Sequence, residues 1–332
     1  MGTRRSEQMV AAYVEELGPA ELIRVGPLPV PVVGPTEVLV RVEVVAVDPV
    51  DTLVRWGAFP TPVPLPFVVG RDLVGTVAAV GAGVARFGVG DRVWSNSLGH
   101  GGRQGSFAEY AVVPPERLYH LPRGVDPVQM VALAHPAATA WLGLHRHARA
   151  QAGETILVGG GGGNVGECVV RLAVAAGLRV LATASAADLE RVGDAGAEVV
   201  VDYRAADVTA QLRAAAPEGI DVHWDTSGHH DLEAAVALAR RGARILLTAA
   251  GPEASVPLPV GAAYTKDVDL LGFVISNATV PDLAAAARAV GGRLSDGTLR
   301  ARVTEELPLS ATAEAHRRVE AGRVRGRLVL RP

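Results

Sequence analysis

The sequence predicts an α/β protein in two parts, a β-rich module and a doubly wound parallel sheet. Three observations carry this. From Met9 to about Leu121, short apolar runs of strand length are separated by Gly and Pro turns. From Thr155 to Val274, β-branched apolar runs alternate with helical periods, the signature of a parallel sheet with right-handed crossovers. Near the start of that alternation, five consecutive glycines, Gly159 to Gly163, separate a predicted strand from a predicted helix.

In chain order, the first module is predicted to contain strands at Val38–Val47, Leu73–Val80, Arg92–Trp94 and Phe107–Val113. Pro60, Pro62, Pro64 and Pro66 mark an irregular loop. Helical periodicity starts at Gly124 and runs to Trp141, with Pro127 placed as a first-turn proline. Predicted strands then follow at Thr155–Val158, Leu178–Ala184, Val199–Asp202, Asp221–Asp225, Ala243–Thr248 and Asp269–Val274. Helices are predicted at Ala205–Ala216 and Asp231–Arg240, among others, and beyond the sheet at Pro281–Leu294 and at Ser310–Ala321, with Ser310 as N-cap. A last strand is predicted at Gly326–Leu330. This tail comes after a finished sheet, so it is expected to complete the first module. The expected division is therefore 1–127 with 276–332, and 128–275 between them.

The chain has 332 residues, of which 49% are hydrophobic, enough for two cores. No apolar run approaches the ~20 residues of a bilayer span. Arg4-Arg5 is followed by no apolar stretch and does not read as an export signal. A single cysteine, Cys168, excludes internal disulfides and any zinc cage built of cysteines. A net charge of −3 with scattered arginines gives no basic stripe for nucleic acid. These features make a cytoplasmic enzyme the expectation, with neither membrane nor nucleic acid as partner.

The glycine run carries the chemistry. Thr155 to Val158 reads as a buried strand, and Val165, Cys168, Val169, Leu172, Ala173 and Ala176 follow the period of a helix packed on one face. Between them Gly161, Gly163 and Gly166 fit G-x-G-x-x-G. That pattern supplies a tight turn, a bare backbone for a pyrophosphate and close helix–strand packing. The helix N-terminus adds free N–H groups and a positive dipole end. Gly161, Gly162, Gly163, Asn164, Val165 and Gly166 are the candidate dinucleotide-binding residues. The plain alternative, a glycine-rich turn with no cofactor, leaves the entropic cost of five glycines unexplained.

Several further stretches resemble a known family. They are Asp48-Pro49-Val50-Asp51-Thr52, Gly70-Arg71-Asp72-Leu73-Val74-Gly75, Gly90-Asp91-Arg92-Val93, Arg103 to Tyr110, and Gly326-Arg327-Leu328-Val329-Leu330. With the glycine turn they resemble the zinc-independent medium-chain dehydrogenase/reductases, near quinone oxidoreductase and zeta-crystallin. The resemblance spans nearly the whole chain. It implies a GroES-like catalytic domain built from both chain ends, a Rossmann domain between, NADPH as hydride donor and a homodimer.

For the cofactor, the predicted second strand of the parallel sheet ends at Ala184-Ser185-Ala186, with no carboxylate of the kind that selects NAD. Ser185 can donate to a phosphate. By resemblance, Tyr203 with Arg204, and Arg327 near the C-terminus, join it, and Gly251, Phe273 and Val274 border the cofactor. NADPH is the cofactor expected. Asp188 argues the other way, standing where a basic residue is common in the family.

Zinc-dependent relatives ligate zinc at the positions that correspond to Asp48, Arg71 and His135. A guanidinium offers no lone pair, so no metal is expected. Asp48 and His135 are the candidate catalytic residues, against the plain readings of a turn-forming aspartate and a structural histidine. Quinone reductases usually carry Asn at Asp48 and often Tyr at Leu53, so a hydroxyl is missing here. His229 and His230 follow the fourth strand of that sheet, where one could cap a helix and one face a ligand. Trp56, Phe59, Phe67 and Phe273 are either pocket wall or core. Lys266, the single lysine, is either a cofactor-loop contact or without a role.

The leading expectation is NADPH-dependent reduction of a quinone or related conjugated carbonyl. An enoyl reductase acting on an α,β-unsaturated thioester is the alternative. A third class is a protein that holds NADPH as a structural ligand only, since zeta-crystallin-like proteins include lens and RNA-binding members.

Overall fold

The computed structural model describes residues 7–251 and 253–332; the Arg4-Arg5 pair lies outside the described residues. The chain forms two compact units. One runs up to His135 and resumes at Leu283–Pro332; the other is Pro136–Asp282. Both divisions fall inside helices, Pro127–Trp141 and Val280–Ser295, a few residues later than the composition suggests.

The first unit is built on a seven-stranded sheet. Its order is Val303–Pro308, Arg327–Arg331, Val38–Ala46, Asp72–Val80, Arg92–Ser95 and Tyr119–His120, with Tyr110–Val113 also paired to Val38–Ala46. A second, three-stranded sheet joins Arg24–Pro29, Gln8–Val14 and Phe67–Val68. Val40, Val42, Leu73, Val77 and Phe107 share one core with Leu328 and Leu330, so the C-terminal strand is an interior strand of this unit. The register of its pairing places three charged residues together. Ala46 lies opposite Asp72 on one side and Val329 on the other. That brings Asp48, Asp72 and Arg327 to the same end of the sheet.

The second unit is a six-stranded, all-parallel sheet. Its order is Val199–Asp202, Arg179–Ala184, Thr155–Gly159, Ile220–Asp225, Ala239–Leu247 and Asp269–Gly272. The order reverses direction beside Thr155–Gly159, the strand that leads into the glycine turn, and such a switch point is where open α/β sheets bind ligands.

Three local expectations are corrected. Residues 49–56 form a helix, Pro49–Trp56, within a module read as strands and turns; Pro49 opens it and Gly57 ends it at φ 75°. Ser310 falls within a 3₁₀ turn, Leu309–Ala311, and the helix Thr312–Glu320 begins after Ala311. Neither histidine after the fourth strand caps the next helix. Asp231 does so, its Oδ1 accepting the Ala234 N–H at 2.9 Å. No helix among the described residues is long and apolar enough to cross a membrane.

Candidate active site

The glycine turn leaves the strand Thr155–Gly159 and enters the helix Asn164–Ala175. Gly160 adopts φ 71°, which glycine takes without steric cost. The Gly161 N–H donates to Thr183 O at 2.8 Å, and the Gly163 N–H to Gly160 O at 2.9 Å. A Cβ on Gly166 would lie 2.1 Å from Gly160 O, so the turn closes only around a glycine. Gly163 differs, since its Cβ would meet Gly160 O alone, at 3.3 Å. Space therefore remains at the helix N-terminus beside Gly163, Asn164 and Val165, where a pyrophosphate is favoured.

Two residues at this turn were not anticipated, Arg191 and Glu167. Arg191 Nη2 donates to Gly162 O at 2.6 Å, and the same guanidinium pairs with Asp188 at 3.0 Å and with Glu167. Glu167 also pairs with Arg171 at 2.9 Å. Arg191 thus ties the turn to two helices. Little in the sequence points to it, since it is one arginine among many on a six-residue helix, Leu189–Asp194.

Ser185 is partly buried, and its hydroxyl donates to Asp188 Oδ2 at 2.7 Å. Tyr203 lies beside it, its N–H donating to Ala184 O at 3.1 Å. The Arg204 guanidinium stacks 4.8 Å above the exposed Tyr203 ring. Ser185, Tyr203 and Arg204 therefore adjoin at the carboxyl ends of neighbouring strands. Gly251 is exposed in the loop after Ala239–Leu247. The Phe273 N–H donates to Leu247 O at 3.3 Å, and its ring stacks on His147 at 4.3 Å; Val274 comes next, partly buried. His230 Nε2 bonds Thr248 O at 2.8 Å, while His229 is exposed. Lys266 caps a helix C-terminus, its Nζ donating to the carbonyls of Val236 and Ala239 at 2.8 and 2.9 Å. That is a structural role with the charge the helix dipole favours.

The remaining predicted residues, Asp48, His135 and Arg327, lie in the first unit, and here Arg327 departs from expectation. Its guanidinium is buried and lies 2.7 Å from Asp48 Oδ1. It is committed to that carboxylate and is not presented to a cofactor phosphate. The Asp48 N–H donates to Asp51 Oδ2 at 2.8 Å, and the His135 N–H to Asp72 Oδ2 at 3.0 Å. Asp48, Asp51, Asp72, Arg71 and Arg327 are all buried, and His135 is partly buried. Asp51 and Asp72 were missed as members. The signal was present, since both lie in the stretches that carried the family resemblance, but only Asp48 and Arg71 were read as chemical.

The charges divide unequally. Burial opposes ionisation of Asp48, yet Arg327, then His135 and a hydrogen bond with Asp72, hold its carboxyl below the usual value. Burial and the Asp48 charge push Asp51 up to about 8 and Asp72 well above its usual value. Desolvation lowers His135 to about 4, so it is neutral near pH 7. The cluster contains an ionised Asp48, carboxyls that retain protons, and two guanidinium groups.

Asp48, Asp72 and His135 place ligand-capable atoms within 4.8 Å of one another, the ligand number of a catalytic zinc. They do not fit one. Asp48 is already neutralised by Arg327, and the Arg71 guanidinium acts on the same carboxylates. A dication would have to displace a buried cation from its partner.

Two family models match the chain. An alcohol dehydrogenase GroES-like domain covers residues 34–123, and a zinc-binding dehydrogenase model covers residues 164–289. A quinone oxidoreductase of Lama guanicoe is 30% identical over 311 residues, covering 93% of this chain and 92% of the relative. The chain belongs to the zinc-independent medium-chain dehydrogenase/reductases, with the quinone oxidoreductases. Among solved structures, a mycobacterial relative in complex with NADPH superposes at TM-score 0.85 and 29% identity, covering 98% of this chain and all of that one. An NAD-dependent alcohol dehydrogenase superposes at TM-score 0.88 and 30% identity, with the same coverage. This member of the family is a nicotinamide-dependent oxidoreductase with a GroES-like domain and a Rossmann-type parallel sheet.

Proposed function

We propose that this oxidoreductase reduces a quinone or a related conjugated carbonyl, with NADPH as the hydride donor and without a metal. The observation that carries this reading is the pairing of Asp48 with Arg327 beside Arg71, which puts guanidinium groups where a Lewis acid would sit. An unconjugated ketone develops a localised alkoxide during hydride transfer and needs a metal or a positioned proton donor to stabilise it. In a conjugated acceptor the charge spreads over the π system.

Bound NADPH supplies the hydride. Gly161, Gly162, Gly163, Asn164, Val165 and Gly166 would hold its pyrophosphate, and Tyr203 and Arg204 its ribose phosphate, joined by Ser185 once its hydroxyl turns from Asp188, with Gly251, Phe273 and Val274 along the nicotinamide half. Asp188 is paired with Arg191 and so does not present a bare charge to that phosphate. The acceptor gains one hydride and one proton. Asp48 is ionised and is a poor acid, and neutral His135 is no better, so the proton comes from water or is passed on from the carboxyl of Asp72.

The reading is tested by following NADPH oxidation with a naphthoquinone, an enone and an enoyl thioester under matched conditions. Turnover with the quinone or the enone supports it. Turnover confined to the thioester replaces it with the enoyl reductase alternative.

A further inference from the structure

Beyond the carboxylate cluster, residues 95–104 of the first unit gather buried polar groups and a half-buried arginine. The strand Arg92–Ser95 ends in three buried polar side chains, Ser95, Asn96 and Ser97. Asn96 Nδ2 donates to Ala134 O at 2.9 Å, next to His135, and the Leu98 N–H donates to Arg71 O at 3.3 Å. The segment is thereby fixed against the Asp48 cluster. Gly99, Gly101 and Gly102 then turn it with φ of 63°, 61° and 80°. The Gly101 N–H donates to Thr61 Oγ1 at 2.8 Å and the Gly102 N–H to Pro62 O at 3.0 Å, which anchors the tip. Among the described residues, buried Ser95 Oγ, Asn96 Oδ1 and Ser97 Oγ have no hydrogen-bond partner. Groups so placed are ordinarily satisfied by water or a ligand.

Positive charge accumulates around Arg103, where Arg117 and Arg71 both act on it. Arg103 is half-buried, and its Nε donates to Ser97 O at 3.1 Å. Among the described residues neither Arg103 nor Arg117 forms an ion pair, and Glu116 is the one acid that acts on Arg103. Burial, then Arg117 and Arg71, lower Arg103 to about 10; burial, then Arg71, Arg103 and Arg117, lower His100 to about 4. The His100 ring meets Phe59 edge-on at 5.7 Å. A half-buried fork of donors bonded to a residue whose own hydroxyl, Ser97 Oγ, is unsatisfied is the arrangement that binds an oxyanion.

We propose that the acceptor carries an oxyanionic substituent, a carboxylate or a phosphate, and that Arg103 and Ser97 bind it. The proposal rests on the reading of the enzyme as a reductase of conjugated carbonyls. It makes the preferred substrate an anionic quinone or enone rather than a neutral, lipid-like one. Arg71 links the two sites, since its field acts both on Asp48 and on Arg103.

The experiment compares three naphthoquinones, one neutral, one with a carboxylate and one with a phosphate, with NADPH as donor. The readout is the ratio of kcat/KM for each anionic acceptor to that for the neutral one. Replacing Arg103→Gln should lower this ratio by ~10–100-fold, the worth of a charge-assisted hydrogen bond. Arg103→Lys should restore part of it. The two anionic arms decide between carboxylate and phosphate. If neither quinone class is turned over, the reductase reading fails, and the same ratio is taken from binding of the three compounds by tryptophan fluorescence. An unchanged ratio overturns the proposal, and so does saturable, Arg103-dependent binding of inorganic phosphate with no difference among the acceptors.

Discussion

Arg327 Nη2 lies 2.7 Å from Asp48 Oδ1, and the two side chains are 3% and 1% exposed. One residue opens a helix near the start of the chain and the other lies on its last strand, so the pair fastens the C-terminal tail to the first unit. Replacing Asp48→Asn keeps the shape but leaves the guanidinium buried without its charge. A loss of ~3–5 kcal/mol is expected in urea unfolding. Adding Arg327→Met should recover most of that loss, because it removes the orphaned charge. Wild-type stability in the Asp48→Asn protein would mean that the pair is not formed. Lower activity in Asp48→Asn therefore reports on proton transfer only where the protein is shown to be folded.

Asp51 predicts a slope in stability with pH. Its folded value is raised to about 8, against an ordinary value of 3.8. The folded state binds that proton more tightly than the unfolded state. Its contribution is therefore complete below pH 3.8 and is lost as pH rises through about 8. Asp51→Asn should flatten the decline between those limits, since Asn still accepts the Asp48 N–H. Asp48 acts in the opposite sense, its contribution being lost as pH falls below its ordinary value. A variant that keeps the wild-type slope assigns the proton elsewhere.

The two glycines of the turn should separate binding from folding. Gly163→Val makes one tight contact, its Cβ 3.3 Å from Gly160 O against 2.1 Å for Gly166, and puts its side chain at the helix N-terminus. Cofactor affinity should fall by ~10²-fold, as expected for losing one or two phosphate hydrogen bonds, with little change in melting temperature. Gly166→Ala meets Gly160 O at 2.1 Å and should lower the melting temperature as well. Equal cofactor affinity in Gly163→Val and wild type would move the phosphate site elsewhere.

Cofactor choice turns on Asp188. Its carboxylate accepts the Ser185 hydroxyl and pairs with Arg191. Asp188→Asn removes a negative charge beside Ser185 and should raise the NADPH to NADH ratio of kcat/KM. Ser185→Asp should lower it by adding like charge. If neither substitution moves the ratio, the ribose phosphate is not read at this strand end.

Much of this architecture was legible in the sequence. Strand Val199–Asp202 ends where its β-branched run ends, and the glycine turn stands where its spacing puts it. Helix Pro49–Trp56 was hidden because eight residues offer barely two turns of periodicity, and Asp-Pro reads equally well as a loop. Arg327 was read as a cofactor-facing cation because a sequence gives the identity of a strand residue but not its register. Only the pairing of Ala46 with both Asp72 and Val329 shows that Asp48 and Arg327 meet. Arg191 and Lys266 illustrate the same limit, since their partners include backbone carbonyls of Gly162, Val236 and Ala239, which leave no mark in a sequence.

The most direct test is anaerobic oxidation of NADPH by a naphthoquinone after exhaustive chelation of the protein. We expect hydroquinone to form in equal amount to the NADPH consumed, at a rate that added zinc does not change. NADPH oxidation that is absent with quinone and enone alike, or that disappears on chelation and returns with zinc, would contradict the account.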